Sequence, residues 1–173
     1  MTLEYRNRKG DVYYAFQGLT KTGKPKYFAS KQVKSDKGER LDTMPSDYEF
    51  AENPSDGGVT LRRIKPSRVL PQERDLVSKL VLGLTKYKSQ HTVIDGDSIV
   101  VYTPSEPNGL STFFTANLRF VLLDSDKRIF YPERFCFRGS IDDWINIGPP
   151  ASLDELAQNF IPYLGKEEFY DLF

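Results

Sequence analysis

Between residues 12 and 17, Val12, Tyr14 and Phe16 alternate with Tyr13, Ala15 and Gln17. A period of two with aromatic side chains on both faces predicts a β-strand. Residues 18–25 supply a turn, and 26–30 predict the return strand. A second such unit follows. Tyr48 and Phe50 alternate with Glu49 and Ala51, residues 53–58 read Asn-Pro-Ser-Asp-Gly-Gly, and Val59 and Leu61 alternate with Thr60 and Arg62. The Asn, Asp and Gly between the two runs are turn residues. The spacer 31–43 is rich in Lys, Asp, Gly and Ser and poor in apolar residues, which predicts an exposed, mobile loop.

From Pro71 the period changes. Leu76, Val77, Leu80, Val81 and Leu84 recur at helical spacing, with Glu73 and Asp75 early and Lys79 and Lys86 late. The proline in the first turn and the order of the charges suit a helix over 72–86, weakened near its end by Gly83. Asp95-Gly96 between two β-branched runs predicts a hairpin with a type I′ turn. The nearly continuous apolar run 117–123 predicts a central strand, turned by 124–127 into a strand over 128–137. Ser152 to Glu155 matches a capping box, followed by the stripe Leu153, Leu156, Ala157 and Phe160. Pro162 predicts a stop or kink near Phe160, and a last short helix is expected over 166–172.

The fold class expected is α+β: a mostly antiparallel sheet built from consecutive hairpins, with one mid-chain helix and C-terminal helices. The expected division is an N-terminal basic β-hairpin lobe over 1–70 and a lobe over 71–173 holding the helix, later hairpins and helical end, or one continuous domain.

A chain of 173 residues, 39% hydrophobic, has enough apolar side chain for a real core. No window approaches the roughly 18 apolar residues of a membrane span. The first residues lack the apolar stretch of a signal peptide, and the lone Cys136 has no partner for an internal disulfide. A cytoplasmic protein without a membrane partner is expected. Charge changes the picture more. The formal net charge of zero is a cancellation: residues 1–40 hold ten Lys/Arg against four Asp/Glu, or +6, and residues 139–173 hold one against seven, or −6. Such asymmetry bears on partners and association.

The candidate chemistry is uneven. Gly18 to Lys24 matches a phosphate-cradling loop until its last position, where Pro25 replaces the hydroxyl residue and a strand pattern replaces the required helix, so a hairpin turn is expected. The basic block with interleaved aromatics, Arg6, Arg8, Lys21, Lys24, Lys26, Tyr27 and Lys31, is the best binding candidate. Lysines contact phosphates, and aromatics on a sheet stack unpaired bases. An alternative acidic site is Glu133, Asp142 and Asp143, in which paired carboxylates would serve a hydrolase. The competing reading makes Ser140 to Asp143 a capping box that opens a helical turn over Trp144. His91 and Cys136 are the only residues of their types, so no Cys/His metal spacing exists, and no metal or cofactor is expected. Cys136, between Phe135 and Phe137, reads as a buried, inert thiol.

The strings TKTGKPKYFAS, PSDYEFAENP with VTLRR, and ERFCFRGSIDDW resemble an uncharacterised family of bacterial proteins. The likeness covers the two ends better than the middle, and it implies no activity, cofactor or residue role. The function expected is a non-catalytic binding or interaction protein using the basic N-terminal face, with a protein or a polyanion as partner. The alternatives are a nucleic-acid-associated protein and a carboxylate-dependent hydrolase.

Overall fold

The structure is a computed structural model that describes residues 3–108 and 111–172. It is mostly antiparallel sheet with few helices. The chain divides into two compact units, residues 1–64 and 65–173.

In the first unit β2 (Val12–Leu19) is the central strand. β3 (Pro25–Ser30) pairs along one side of it, Tyr14 opposite Ser30 through Leu19 opposite Pro25. The other side takes β1 (Glu4–Arg6) at Val12–Tyr14 and then β4 (Glu39–Arg40) at Phe16 and Gln17. A two-stranded sheet, β5 (Tyr48–Glu52) with β6 (Val59–Arg63), completes the unit. Ring contacts tie the two sheets: Tyr27 to Tyr48 at 4.6 Å and Tyr5 to Phe50 at 5.4 Å between centroids. Asn7 is buried and joins the turns. Its Nδ2 donates to the Gly57 carbonyl at 2.7 Å, and its Oδ1 accepts from the amides of Lys9 and Asp11. A buried side-chain amide is stable only when satisfied in this way.

The second unit begins with α1 (Pro71–Leu84) and continues through β7 (His91–Asp95), β8 (Ser98–Thr103), β9 (Thr115–Asp124), β10 (Ile129–Arg138) and β11 (Ile141–Asn146). These strands form one antiparallel sheet in the order β11-β10-β9-β8-β7, and β12 (Ala151–Ser152) adds to β10 beside β11. Along β9, Leu118, Phe120 and Leu122 are buried while Asn117, Arg119 and Val121 are only half-buried, the alternation a pleat imposes. The buried row, with Ile99, Val101 and Phe130, packs against Val77 and Val81 of α1 and Leu156 and Ala157 of α2 (Leu153–Phe160). Each large side chain so buried contributes about 1.5–3 kcal/mol.

Several expectations are corrected. The spacer 31–43 is no free loop, because Glu39–Arg40 joins the sheet and the Leu41 amide donates to the Ala15 carbonyl at 2.8 Å. α1 ends at Leu84, where Thr85 turns extended and its hydroxyl donates to the Val81 carbonyl. Residues 140–143 open no helix: Asp142 and Asp143 lie in the edge strand β11. Pairing with β10 outweighs the local cap signal there, and the Asp143 carboxylate accepts from the Trp144 amide at 2.7 Å. Beyond Phe160 the chain forms 3-10 turns, Ile161–Tyr163 and Glu167–Asp171, in place of a second α-helix. Cys136 is half-buried, because its neighbour across the edge, Asp143, is exposed.

The second 3-10 turn is anchored by Arg134, whose side chain is buried at 3% exposure. Its Nε donates to the Leu172 carbonyl at 2.9 Å and its Nη2 to the Tyr170 carbonyl at 2.8 Å. Phe169, also buried, enters the core just before these two carbonyls in sequence. Arg134→Met keeps most of the stem volume and removes the donors. The expected loss is about 0.5–1.5 kcal/mol for each hydrogen bond removed, read by urea unfolding. Amide exchange over residues 167–172 should quicken first; unchanged exchange there would refute the anchor.

At the start of the second unit Arg68 closes on Asp97. Its backbone N–H donates to Oδ1 at 2.9 Å, and its Nε and Nη2 to Oδ2 at 3.0 and 2.6 Å. The Arg68 guanidinium, then its amide, holds the Asp97 carboxyl below its ordinary 3.8. A carboxyl depressed in the folded state stabilises above its unfolded pKa, and that stabilisation is lost as pH falls through the folded value. The stability gap between the native chain and Asp97→Asn should therefore be full near neutrality and close below about pH 4, as measured by urea titrations across pH. A gap independent of pH would count against the pairing.

Candidate functional site

The β2–β3 turn is built by its own sequence. The Thr20 amide donates to the Lys24 carbonyl at 2.8 Å, and the Gly23 amide donates to the Thr20 carbonyl at 2.9 Å. The Thr20 hydroxyl accepts from the Lys24 amide at 3.1 Å. Gly23 has φ +78°, a conformation that favours glycine. Gly18 and Leu19 still belong to β2 and Pro25 already opens β3, so the turn is shorter than 18–25, and Gly18 to Lys24 is a strand end with a hairpin turn and not a phosphate loop. Lys21, Lys24 and Lys26 stand exposed on it, and none makes a side-chain hydrogen bond or ion pair among the described residues.

The other basic residues of the block are engaged. Arg6 donates to the Gly10 carbonyl at 3.1 Å. Arg8 pairs with Glu52 at 3.3 Å and donates to the Asn53 carbonyl. Lys31 pairs with Asp11 at 2.7 Å and lies 5.5 Å from the Tyr13 ring centroid. The bond between them raises the Lys31 ammonium pKa and lowers that of the Asp11 carboxyl. Nor do the lysines and aromatics all share one face. Tyr27 lies opposite Gln17 and packs on Tyr48, whereas Lys26 and Phe28 project from the other side of β3, where Phe28 stacks on Phe16 at 5.4 Å. The interleaving in the sequence is split by the pleat.

The face that carries Lys26 and Phe28 is crossed by the segment leading into β4. A Cβ added to Gly18 would lie 2.3 Å from the Lys37 carbonyl oxygen, and one added to Gly38 would lie 2.6 Å from that of Gln17. Only two glycines permit backbones this close. Beside the crossing runs a groove of about 570 Å³ lined by Gln17, Lys37, Glu39 and Arg40, and a second of about 460 Å³ lined by Leu19, Lys26, Phe28 and Lys37. The Arg40 guanidinium sits 4.0 Å from the Tyr14 ring centroid, an attraction of cation to ring face. Sequence reasoning missed Arg40 as part of the site. The available signal was Gly18, since glycine inside a strand pattern marks a close backbone approach.

The acidic alternative does not assemble. Glu133 accepts from the Arg119 Nε, and the same guanidinium lies 4.5 Å from the Trp144 ring centroid. Asp142 is opposite Phe137 and Asp143 opposite Cys136, so the two carboxylates leave opposite faces of the sheet. Asp142 stands four residues along the ladder from Glu133, about 13 Å away. Among the described residues no group of three His, Cys, Asp or Glu is placed to hold a metal ion. His91 packs edge-on against Phe114 in β7, three strand spacings, or about 14 Å, from the strand of Cys136. No helix among the described residues is long and apolar enough to cross a membrane.

The crossing is open to direct test. Gly38→Ala forces its new methyl onto the Gln17 carbonyl and should destabilise the first unit by about 1–3 kcal/mol, the range for overpacking. Exchange at Arg40 and Leu41 should quicken more than in the β2–β3 ladder. Native exchange at both positions would show that the approach is dispensable.

No protein-family model matches the chain, and neither a curated protein nor a solved structure matches it.

Proposed function

We propose that this protein is a non-catalytic binding module whose β2–β3 hairpin docks on an anionic surface of its partner. The observation that carries the reading is the sorting of the cations. Arg8 and Lys31 have carboxylate partners, while Lys21, Lys24 and Lys26, on an ordered turn, have none among the described residues. Three like charges held together repel one another, and an anionic partner relieves that repulsion. Lys37 and the smaller groove, with Lys26, continue the same surface, while the larger groove sets Asp36 and Glu39 beside Lys37 and Arg40.

The rings argue for recognition by charge over base stacking. Tyr27 is taken by Tyr48 and Phe28 by Phe16, so β3 offers no free row of ring faces of the kind that binds single strands. A hydrolase reading has less support, because Glu133 is neutralised by Arg119 and Asp142 stands apart.

A single-stranded oligonucleotide serves as a generic polyanion probe. Binding at low salt should weaken with added salt by a log–log slope of about −0.7 per phosphate neutralised. The triple variant Lys21→Ala, Lys24→Ala, Lys26→Ala should flatten the slope in proportion to the phosphates it no longer neutralises. Lys31→Ala, whose ammonium already has Asp11, should change it least. A triple variant with native affinity and slope sinks the reading.

A further inference from the structure

We infer that the anionic surface taken by the hairpin is the acidic C-terminal segment of a second copy of this chain, an inference that rests on the reading of the hairpin as a docking surface. The segment is a shaped surface and not a loose tail. Arg134 holds the carbonyls of Tyr170 and Leu172, and Phe169 is buried in the core, which fixes the 3-10 turn Glu167–Asp171 against the sheet. Glu167, Glu168 and Asp171 project outward from this turn, exposed and without an ion pair among the described residues. Asp154 and Glu155, at the start of α2, are exposed in the same way.

The two surfaces match in more than the sign of their charge. The hairpin carries Leu19 at 69% exposure, and Val33 at 54% lies on the segment that crosses it. The acidic turn carries Tyr170 at 57%, and Tyr163 just before it is at 38%. Each surface therefore sets large apolar side chains among charges mostly of one sign: lysines on the first, with Asp36 and Glu39 on its crossing segment, and carboxylates on the second, with Lys166 at its start. Exposed apolar side chains rimmed by charge mark interaction surfaces. The apolar parts supply contact area, and complementary rims set orientation and exclude wrong partners. The whole-chain balance of 24 basic and 24 acidic residues also favours a second copy, since copies of zero net charge do not repel as bodies. Each copy offers one surface of each kind. Because the two surfaces differ, the contact between copies is heterologous.

Sedimentation velocity and light scattering across concentration, at low and high salt, read the association. The native chain should gain mass with concentration at low salt and return to monomer at high salt. The charge reversals K21E/K24E/K26E and E167K/E168K/D171K, made separately, should each weaken self-association by about tenfold or more, through like charges brought together. Mixed in equal amounts, the two variants should bind each other, and a chain carrying both sets should self-associate again. Misfolding does not produce that rescue, so it separates charge pairing from damage. A native chain that stays monomeric at every concentration and salt overturns the inference, as does a mixture that fails to associate. If that monomer still binds the oligonucleotide through Lys21, Lys24 and Lys26, the hairpin reading survives alone. If its binding ignores those lysines, both fall.

Discussion

Gly18 in β2 and Gly38 in the crossing segment face each other's backbone across a gap that a single methyl group would close. That approach lets Glu39–Arg40 complete the open side of β2, beyond the reach of β1. It places Arg40 over Tyr14 and lines both grooves with Lys37. A side chain at either position would lift the segment from the strand. Phe16, now 1% exposed, would then lose part of its cover. The basic surface is thus shaped by an approach between main chains, with the charged side chains carried on it.

The second unit depends on a different kind of constraint. Its sheet is covered on one face by α1 and α2, and the apolar cluster between them is continuous from Val77 to Phe169. Arg134, buried on the same face of β10 as Phe130, sets a charge beside this cluster. Its cost is offset by main-chain carbonyls that would otherwise be unpaired, since the end of a short 3-10 turn leaves such acceptors open. The outcome is a C-terminal segment set in one position, with its acidic side chains turned outward. At the edge of the same sheet, the exposed strand β11 carries Asp142 and Asp143, and charged residues on an edge strand discourage further strands from adding to it.

Charge in this molecule falls into two classes. Some cations are consumed by the fold: Arg8, Lys31, Arg68, Arg119 and Arg134 have the acceptors described above, and Arg128 pairs with Glu73 of α1. Others, with Lys21, Lys24 and Lys26 at their head, have none among the described residues. Salt bridges at exposed positions add little stability, so their main consequence for function is subtraction. They identify which charges remain for a partner, a distinction that composition and local charge counts cannot make.

The sequence by itself determined the hairpins at 12–30, 48–63 and 91–103, the mid-chain helix, and the segregation of charge. These follow from short-range rules: the period of apolar residues, the turn glycines Gly23 and Gly96, and simple counting; the expected type I′ turn on Asp95-Gly96 is not formed, because Asp95 pairs with Ser98 and of the two loop residues, Gly96 and Asp97, only Gly96 has positive φ. Tertiary structure alone decided which face each side chain occupies and which charges are neutralised. Lys26 and Tyr27 are adjacent in sequence, yet the pleat sends one toward the groove and the other into a ring contact with Tyr48. The cap signal at Ser140 yielded to strand pairing because β10 offered a full ladder of partners from Glu133 to Arg138. β4, only two residues long, carries almost no local preference and exists because Gly18 and Gly38 let it reach β2. Arg134 reads as one more alternating strand residue until the chain's end folds back upon it. Contacts between residues distant in sequence set these features, and a period or a propensity has no term for a distant partner.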